Sequence, residues 1–197
     1  SHSYPLVVAL YGASGRAYSA YALASPVLRK RYPVFVMVPL EPKRAYWARP
    51  KNKDSIGLPW SLSYPDYIPN VMAAIHDVER QTAIDKSHIY MTGHSLGGMG
   101  TIGALIRYPE TLAGGIVTAG TWDASEGGFI KGQSVASCHA ADDRSYRISV
   151  MRAFVETARR AGAHPVYTEL KRGGHGVCAA FYNSPRLWQW LLMQKRG

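Results

Sequence analysis

The chain has 197 residues, of which 47% are hydrophobic, so it is long enough to bury a substantial core, and we expect one domain over residues 1–197. No apolar run approaches the roughly 18 residues of a membrane span, so we expect no transmembrane segment. The net charge of +10 comes from 23 Lys and Arg against 13 Asp and Glu. These basic residues lie mostly at the ends of predicted elements and without a recognised nucleic-acid motif. We therefore expect a solvated basic surface and no nucleic-acid partner.

Six apolar, strand-like runs alternate with helical stretches along the chain. The strands are predicted at residues 6–11, 34–38, 88–92, 115–119, 133–138 and 165–170. The helices are predicted at residues 18–31, 68–83, 99–108, 146–161 and 185–195, the last begun by a Ser184 cap and Pro185. This alternation predicts an α/β fold with a mostly parallel sheet covered by helices on both faces. Ligands of such sheets bind where the strands end, so the loops after four of these strands should converge.

The loop after the first predicted strand begins Tyr11-Gly12-Ala13. Its small residues allow the backbone to approach a ligand, and a tyrosine here could contact that ligand or cap the loop. We therefore expect the Ala13 amide to donate one of the two hydrogen bonds that a developing oxyanion needs. A plain turn is the alternative.

A serine stands between small residues in the segment 93–98, where a predicted strand passes into a helix. Gly-x-Ser-x-Gly in this context is typical of a nucleophile elbow, a strained turn that lifts the Ser95 hydroxyl clear of the sheet. Gly93 and Gly97 remove side chains that would collide with the turned backbone. The same turn aims the Leu96 amide at the oxyanion. An ordinary flexible turn is the alternative.

A serine nucleophile needs a base and a carboxylate, and the order expected on this topology is serine, acid, histidine. The loop after the fifth predicted strand offers Asp142 and Asp143. Adjacent turn residues point in different directions, so one carboxylate should face the base while the other caps a loop or meets solvent. We favour Asp143 as the acid. His175 is the expected base, because it follows the last strand and its glycine neighbours allow close approach.

Two further histidines stand near these candidates. His94 precedes Ser95, and its side chain is expected to leave the elbow on the other side and to pack or form a hydrogen bond there. His139 is expected to stabilise its own loop. No histidine pattern has the spacing of a zinc site, so we expect neither a metal nor a cofactor.

Cys138 and Cys178 are the only cysteines, and each lies close in sequence to a candidate site residue. Neither has the partner spacing of a zinc site or a redox pair. The sequence leaves open a disulfide between the two loops or two free buried thiols. A disulfide would favour an oxidising compartment, so we expect a secreted or periplasmic protein, with a cytoplasmic location as the alternative.

Several stretches carry a family resemblance, and the most specific are residues 89–98, around the elbow, and the closing residues 190–196. Over essentially its whole length the chain resembles the α/β-hydrolase superfamily. More narrowly, it resembles bacterial esterases and predicted peptidases related to feruloyl esterases and polyhydroxybutyrate depolymerases. The chain has Tyr11-Gly12 and His139-Ala140 where the family usually has His-Gly, and both departures leave backbone donors available. The family normally begins with an antiparallel hairpin ahead of the first strand, and this chain has no residues for it, so we expect a minimal version of the fold.

The expected function is a serine carboxylic-ester hydrolase, similar to carboxylesterases and feruloyl esterases, that acts through an acyl-enzyme on small-molecule or polymer-borne esters. Ser95 would attack, His175 would move the proton and Asp143 would orient His175. The amides of Ala13 and Leu96 would hold the oxyanion. The alternatives are a serine peptidase of the same fold and a catalytically silent binding domain.

Aromatic side chains in the connecting segments could line an acyl or aryl subsite, or pack in the core. The candidates are Tyr11, Tyr46, Trp47, Trp60 and Trp122. Few connecting segments are long enough to form a lid, which favours an open cleft. The oligomeric state is not predicted.

Overall fold

The computed structural model describes residues 2–40, 46–52, 56 and 65–196. Within them lies a sheet of six strands, which are β1 (Tyr4–Leu10), β2 (Phe35–Met37), β3 (Ile84–His94), β4 (Gly114–Thr118), β5 (Ser134–Ala140) and β6 (Val166–Leu170). Neighbouring strands are all parallel, and their order across the sheet is β2-β1-β3-β4-β5-β6. These are the six predicted strands, so the expected parallel α/β sheet is confirmed.

β3 extends beyond the predicted strand at both ends. Its early residues 85–87 are polar and interrupt the apolar run on which the prediction rested. The Ser87 amide and hydroxyl both donate to Asp85 Oδ1, and the register of β1 against β3 shifts between Tyr4 and Leu6. At its other end, β3 continues directly into the elbow.

α-Helices and 3-10 helices connect and cover the strands in the described part of the chain. The α-helices are α1 (Tyr18–Ala24), α2 (Pro26–Arg31), α3 (Ile68–Gln81), α4 (Leu96–Arg107), α5 (Ile148–Arg160) and α6 (Pro185–Leu192). The 3-10 helices, Ala124–Ile130 and Val177–Asn183, were not predicted, because no apolar period of 3.6 residues marks them. The predicted N-cap of α6 is confirmed, since Ser184 Oγ accepts a 3.4 Å hydrogen bond from the Leu187 amide.

The predicted helix at 18–31 is two helices. Ser25 has an extended backbone, with φ −61° and ψ 144°, because Pro26 disfavours the helical conformation in the residue before it. Ser25 then becomes the N-cap of α2, and its hydroxyl accepts a 3.4 Å hydrogen bond from the Leu28 amide.

Both faces of the sheet are buried under helices. On one face, Leu6, Val8 and Leu10 of β1 pack in a cluster with residues of α3, α4 and α5. On the other, Val7 of β1 packs with residues of α1, α2 and α6, among them Trp188. Alternate residues of one strand thus enter opposite cores, which explains the nearly continuous apolar sequence of the strands. No described helix combines the length and the apolar character that a bilayer crossing requires.

The carboxyl ends of the six strands share one edge of the sheet, because all the strands run in the same direction. The loops that leave β1, β3, β5 and β6 at this edge contain residues 11–13, 95, 142–143 and 173–175. The expected convergence of four loops is therefore observed.

Candidate active site

Ser95 occupies the turn between β3 and α4. Its φ of 59° and ψ of −120° lie in a backbone region that residues other than glycine rarely adopt. The turn is held by a 2.9 Å hydrogen bond from the Ser95 amide to the Thr118 carbonyl at the end of β4. Such strain concentrates at functional sites, where the surrounding structure holds it in place.

The glycines on either side of Ser95 make the turn sterically possible. A Cβ on Gly93 would stand 2.1 Å from the Gly97 carbonyl oxygen, and one on Gly97 would stand 2.2 Å from the Leu10 carbonyl oxygen. Both neighbours are backbone atoms, which cannot move aside. The predicted reason for the two glycines is therefore confirmed.

His175 joins Ser95 to Asp143. Its Nε2 lies 2.8 Å from Ser95 Oγ, and its Nδ1 lies 2.8 Å from Asp143 Oδ2. In this arrangement the Ser95 hydroxyl donates to Nε2, while the Nδ1–H donates to the carboxylate. Gly173 and Gly174, with φ of 126° and 62°, form the turn that carries His175 out of β6.

Asp143 is a buried carboxylate whose two oxygens both have partners. Oδ1 accepts hydrogen bonds from the amides of Ser145, at 2.8 Å, and Tyr146, at 3.1 Å. Oδ2 faces His175 and also lies 3.3 Å from His139 Nε2. His139 is 1% exposed, and its Nε2 is 3.1 Å from the Tyr146 carbonyl oxygen. It thus contacts the candidate acid itself, beyond the loop-stabilising role that the sequence suggested.

Asp142 holds the loop that carries His175. Its Oδ2 accepts from the Gly173 amide at 3.1 Å, and its Oδ1 accepts from the Gly174 amide at 2.8 Å. These backbone hydrogen bonds lower the pKa of Asp142 below its usual value. The adjacent carboxylates of Asp142 and Asp143 therefore point in different directions, as expected for neighbouring residues of a turn.

His94 lies beside His175, which differs from the expectation that it leaves the elbow on the other side. Its ring centroid is 5.2 Å from that of His175 and 5.1 Å from that of Tyr18. The side chain also forms the expected hydrogen bond, since its Nδ1 is 3.0 Å from Thr118 Oγ1. Burial, reinforced by the neighbouring His175, lowers the pKa of His94 to about 4. Thr118 lies opposite His94 on the adjacent strand β4. The ring of His94 is therefore turned towards this hydrogen-bond partner, and it packs against His175.

Tyr146 is a site residue that the sequence analysis did not single out. It is 5% exposed, and its ring centroid lies 5.3 Å from that of His175. Burial raises the pKa of its hydroxyl to about 12, and a side-chain interaction with Ser95 opposes that rise. Its position three residues after Asp143 was the available signal, but nothing in the sequence shows where the ring points.

Cys138 and Cys178 form a disulfide, so the structure has the first of the two alternatives that the sequence left open. Cys138 lies in β5, whose end leads to Asp143. Cys178 lies in the 3-10 helix that follows His175. The bond therefore links the strand that leads to the candidate acid with the helix that follows His175.

Of the two expected oxyanion donors, Leu96 directly follows Ser95, and Ala13 lies in the loop after β1. Leu96 begins α4, so its amide is among the first-turn donors that have no partner within the helix. The loop after β1 touches the elbow, since a Cβ on Gly12 would stand 3.1 Å from Ser95 Cβ. Ala13 follows Gly12 and is exposed.

Of the two alternatives left open for the aromatic residues, a subsite or the core, two of them have the core position. Trp47 and Trp122 are 1% and 0% exposed, and they fill space left by Gly100 and Gly103 of α4. Tyr11 is half-buried; its ring lies edge-on to Trp47 at 5.0 Å, and its carbonyl accepts a 2.7 Å hydrogen bond from Trp47 Nε1. Tyr46 is also half-buried, and Trp60 lies outside the described residues.

By sequence, the chain matches no protein-family model and no curated protein. By structure, it is similar over its whole length to a thermostable esterase, with a TM-score of 0.86 and 28% identity. It spans only 56% of that protein's length. Esterase PE8 superposes with a TM-score of 0.71 and 18% identity, over 97% of this chain and 94% of PE8. The acylaminoacyl peptidase of Pyrococcus horikoshii has a TM-score of 0.72 and 13% identity, over 99% of this chain and 38% of the peptidase.

Three observations agree on the architecture. The sheet is parallel with helices on both faces, a strained serine follows its third strand, and the structures that superpose on the chain are esterases and a peptidase. Together they show that the chain has the α/β-hydrolase fold.

Proposed function

We propose that the chain is a serine hydrolase that cleaves carboxylic esters through an acyl-enzyme intermediate. The observation that carries the proposal is the continuous path of two 2.8 Å hydrogen bonds from Ser95 through His175 to Asp143. A serine hydroxyl is a poor nucleophile at neutral pH, and an imidazole oriented by a buried carboxylate supplies the base that it needs. The likeness to a thermostable esterase supports ester chemistry.

Acylation begins when Ser95 Oγ forms a bond to the ester carbonyl carbon. The Oγ proton passes to His175 Nε2, and the carbonyl π electrons move onto the carbonyl oxygen. Asp143 stabilises the imidazolium that results. The amides of Leu96 and Ala13 hold the oxyanion, and each such donor contributes on the order of 3 kcal/mol to the transition state.

Acylation ends when the tetrahedral intermediate collapses and expels the alcohol, which takes the proton from His175 Nε2 and leaves the acyl group on Ser95. Deacylation uses the same groups. A water molecule then gives its proton to His175 and attacks the acyl carbon. His175 Nε2 then returns the proton to Ser95 Oγ as the bond from Oγ to the acyl carbon breaks, and the acid product departs. The cycle moves only protons and an acyl group, so the proposal includes no cofactor.

The substrate is proposed as a small-molecule or polymer-borne ester, with the feruloyl-esterase-like subgroup as the finer candidate. The same groups could cleave an amide, so a serine peptidase of this fold is the second candidate. The disulfide between Cys138 and Cys178 supports a secreted or periplasmic location, because such bonds persist in oxidising compartments.

The test is hydrolysis of p-nitrophenyl esters from acetate to octanoate, beside methyl ferulate and a peptide anilide, with Ser95→Ala as the control. We expect ester turnover that the substitution abolishes. Turnover of methyl ferulate would support the finer subgroup. Cleavage of the anilide alone would favour the peptidase. If no substrate is hydrolysed and a fluorophosphonate does not label the chain, a binding domain would be favoured.

A further inference from the structure

His139 is a buried histidine that the proposed catalytic cycle does not use. It is 1% exposed and lies in β5, just ahead of the loop that carries Asp143. Its Nε2 lies 3.1 Å from the Tyr146 carbonyl oxygen and 3.3 Å from Asp143 Oδ2. One ring nitrogen therefore faces both the candidate acid and the backbone of the loop that holds this acid.

The surroundings of the His139 ring determine where its proton sits. A carbonyl oxygen only accepts hydrogen bonds, so Nε2 carries a proton and donates it to the Tyr146 carbonyl. Nδ1 is buried and has no hydrogen-bond partner among the described residues. A proton on Nδ1 would be a buried donor without an acceptor, which is costly. The ring is therefore neutral, with its single proton on the nitrogen that faces the candidate acid.

This N–H adds to the donors that surround the carboxylate of Asp143. The amides of Ser145 and Tyr146 hold Oδ1 at 2.8 Å and 3.1 Å. His175 Nδ1 meets Oδ2 at 2.8 Å, and the Nε2–H of His139 lies beside the same oxygen. Because Nε2–H is also bonded to the Tyr146 carbonyl, the ring of His139 connects the oxygen that faces His175 to the backbone that fixes the other oxygen.

We propose that His139 is a positioning residue, which acts through Asp143 by holding its carboxylate in the orientation that His175 requires. The inference rests on the serine-hydrolase function proposed above. The amides at Oδ1 fix one end of the carboxylate, and the Nε2–H of His139 places the positive end of a dipole beside the other. Oδ2 therefore stays directed at His175 Nδ1 while the imidazolium forms. His139 is buried and does not meet the substrate.

Two substitutions separate this role from simple packing. His139→Leu removes the N–H and keeps an apolar side chain in the space. His139→Gln supplies a donor again, because the amide nitrogen of glutamine is as many bonds from Cβ as Nε2 of histidine.

Ser137→Ala is the matched control for the loss of a buried polar group from β5. Ser137 is also 1% exposed and lies two residues earlier, on the same face of the strand. Its hydroxyl donates a 3.4 Å hydrogen bond to the Val166 carbonyl, at the start of β6 and away from the site. Its removal tests whether any polar loss in this strand slows the reaction.

The experiment measures kcat and KM for p-nitrophenyl acetate, and the rate at which a fluorophosphonate labels Ser95, at a temperature well below every melting midpoint. For His139→Leu we expect kcat and the labelling rate to fall about 10- to 100-fold, as for the loss of a donor beside a charged group, while KM changes less than about 2-fold. His139→Gln should recover most of this loss. Ser137→Ala should retain the kcat and labelling rate of the unmodified chain.

A double-variant cycle tests whether His139 acts through Asp143. Asp143→Asn removes the carboxylate that His139 is proposed to hold. Adding His139→Leu to Asp143→Asn should therefore lower kcat/KM less than about 3-fold further. An equal loss from His139→Leu in both backgrounds would overturn the proposal, because His139 would then act independently of the acid.

The possible failures are distinguishable. If the unmodified chain neither hydrolyses the ester nor is labelled, the proposed hydrolase function fails and the role of His139 fails with it. If the unmodified chain is labelled at Ser95 and His139→Leu is labelled equally fast, only the role of His139 is overturned. If His139→Leu does not fold, His139→Gln decides the question alone: a kcat within about 3-fold of the unmodified chain supports the proposal, and a folded but slow variant overturns it.

Discussion

At the scale of single residues, neighbouring side chains in one loop have different tasks because the turn points them in different directions. Asp143 is buried and meets the Nδ1 of His175, whereas Asp142 is exposed and accepts from the amides of Gly173 and Gly174. One carboxylate therefore faces the imidazole, and the other holds the loop on which that imidazole is carried.

The two carboxylates should respond differently to loss of charge. In Asp143→Asn we expect kcat/KM for p-nitrophenyl acetate to fall about 10⁴-fold, because an amide cannot hold the required tautomer of His175. In Asp142→Asn we expect a fall of at most ~10-fold, because one acceptor oxygen remains for the loop amides. Melting curves of both variants control for unfolding. A larger loss of activity in Asp142→Asn would contradict the choice of Asp143 as the acid.

His94 makes stability depend on pH. Its pKa in the folded chain is about 4, against an ordinary value of 6.5, so between these values the unfolded chain binds more protons. The stability contributed by neutral His94 is thus complete above about pH 6.5 and is lost as pH falls towards 4. The loss amounts to about 3 kcal/mol of unfolding free energy.

Urea unfolding between pH 4 and pH 7 measures this dependence. His94→Gln should flatten the slope of unfolding free energy against pH, whatever its effect on absolute stability, because glutamine does not titrate. The control is His164→Gln, which makes the same substitution at an exposed histidine and gives the slope of a variant that keeps His94. An equal slope in the His94→Gln variant would show that other groups cause the acid sensitivity.

At the scale of elements, the site depends on how β5, β6 and the 3-10 helix Val177–Asn183 are held together. β5 and β6 are paired in register over five residue pairs, and the disulfide adds a covalent link from β5 to the 3-10 helix. That helix also reaches beneath the elbow, where the Tyr182 hydroxyl donates to the Gly93 carbonyl at 2.9 Å. The loop that carries His175 is therefore anchored on both of its sides.

Removing the disulfide should loosen this anchor. Its two cysteines are 40 residues apart, and a cross-link that closes a loop of that size stabilises a folded chain by about 4 kcal/mol. We expect the unfolding free energy of the double variant Cys138→Ala with Cys178→Ala to fall by about this amount. Its kcat should fall by a larger factor than the factor by which its KM changes. A reducing agent should reproduce the loss in the unmodified chain and have no effect on the double variant. Unchanged melting in both cases would refute a stabilising bridge.

At the scale of the whole molecule, the sequence predicts those features that depend on local pattern. The six strands were predictable because both faces of the sheet are buried and each strand is apolar nearly throughout. The elbow was predictable because its turn requires glycine at positions 93 and 97, where a Cβ would collide with backbone atoms. That requirement is visible in the sequence as the spacing Gly-x-Ser-x-Gly. Tyr146, His139 and the core positions of Trp47 and Trp122 were not, because they depend on packing between segments distant in sequence.

The most direct test of the account is the mass of the protein during turnover. The chain is mixed with p-nitrophenyl acetate, quenched with acid after several delays, and analysed by intact and peptide mass spectrometry, beside Ser95→Ala. The account predicts that one acetyl group appears on the peptide containing Ser95 before steady state, and that the variant acquires none there. Turnover with no acyl adduct, or an adduct on another residue whose substitution stops turnover, would contradict it.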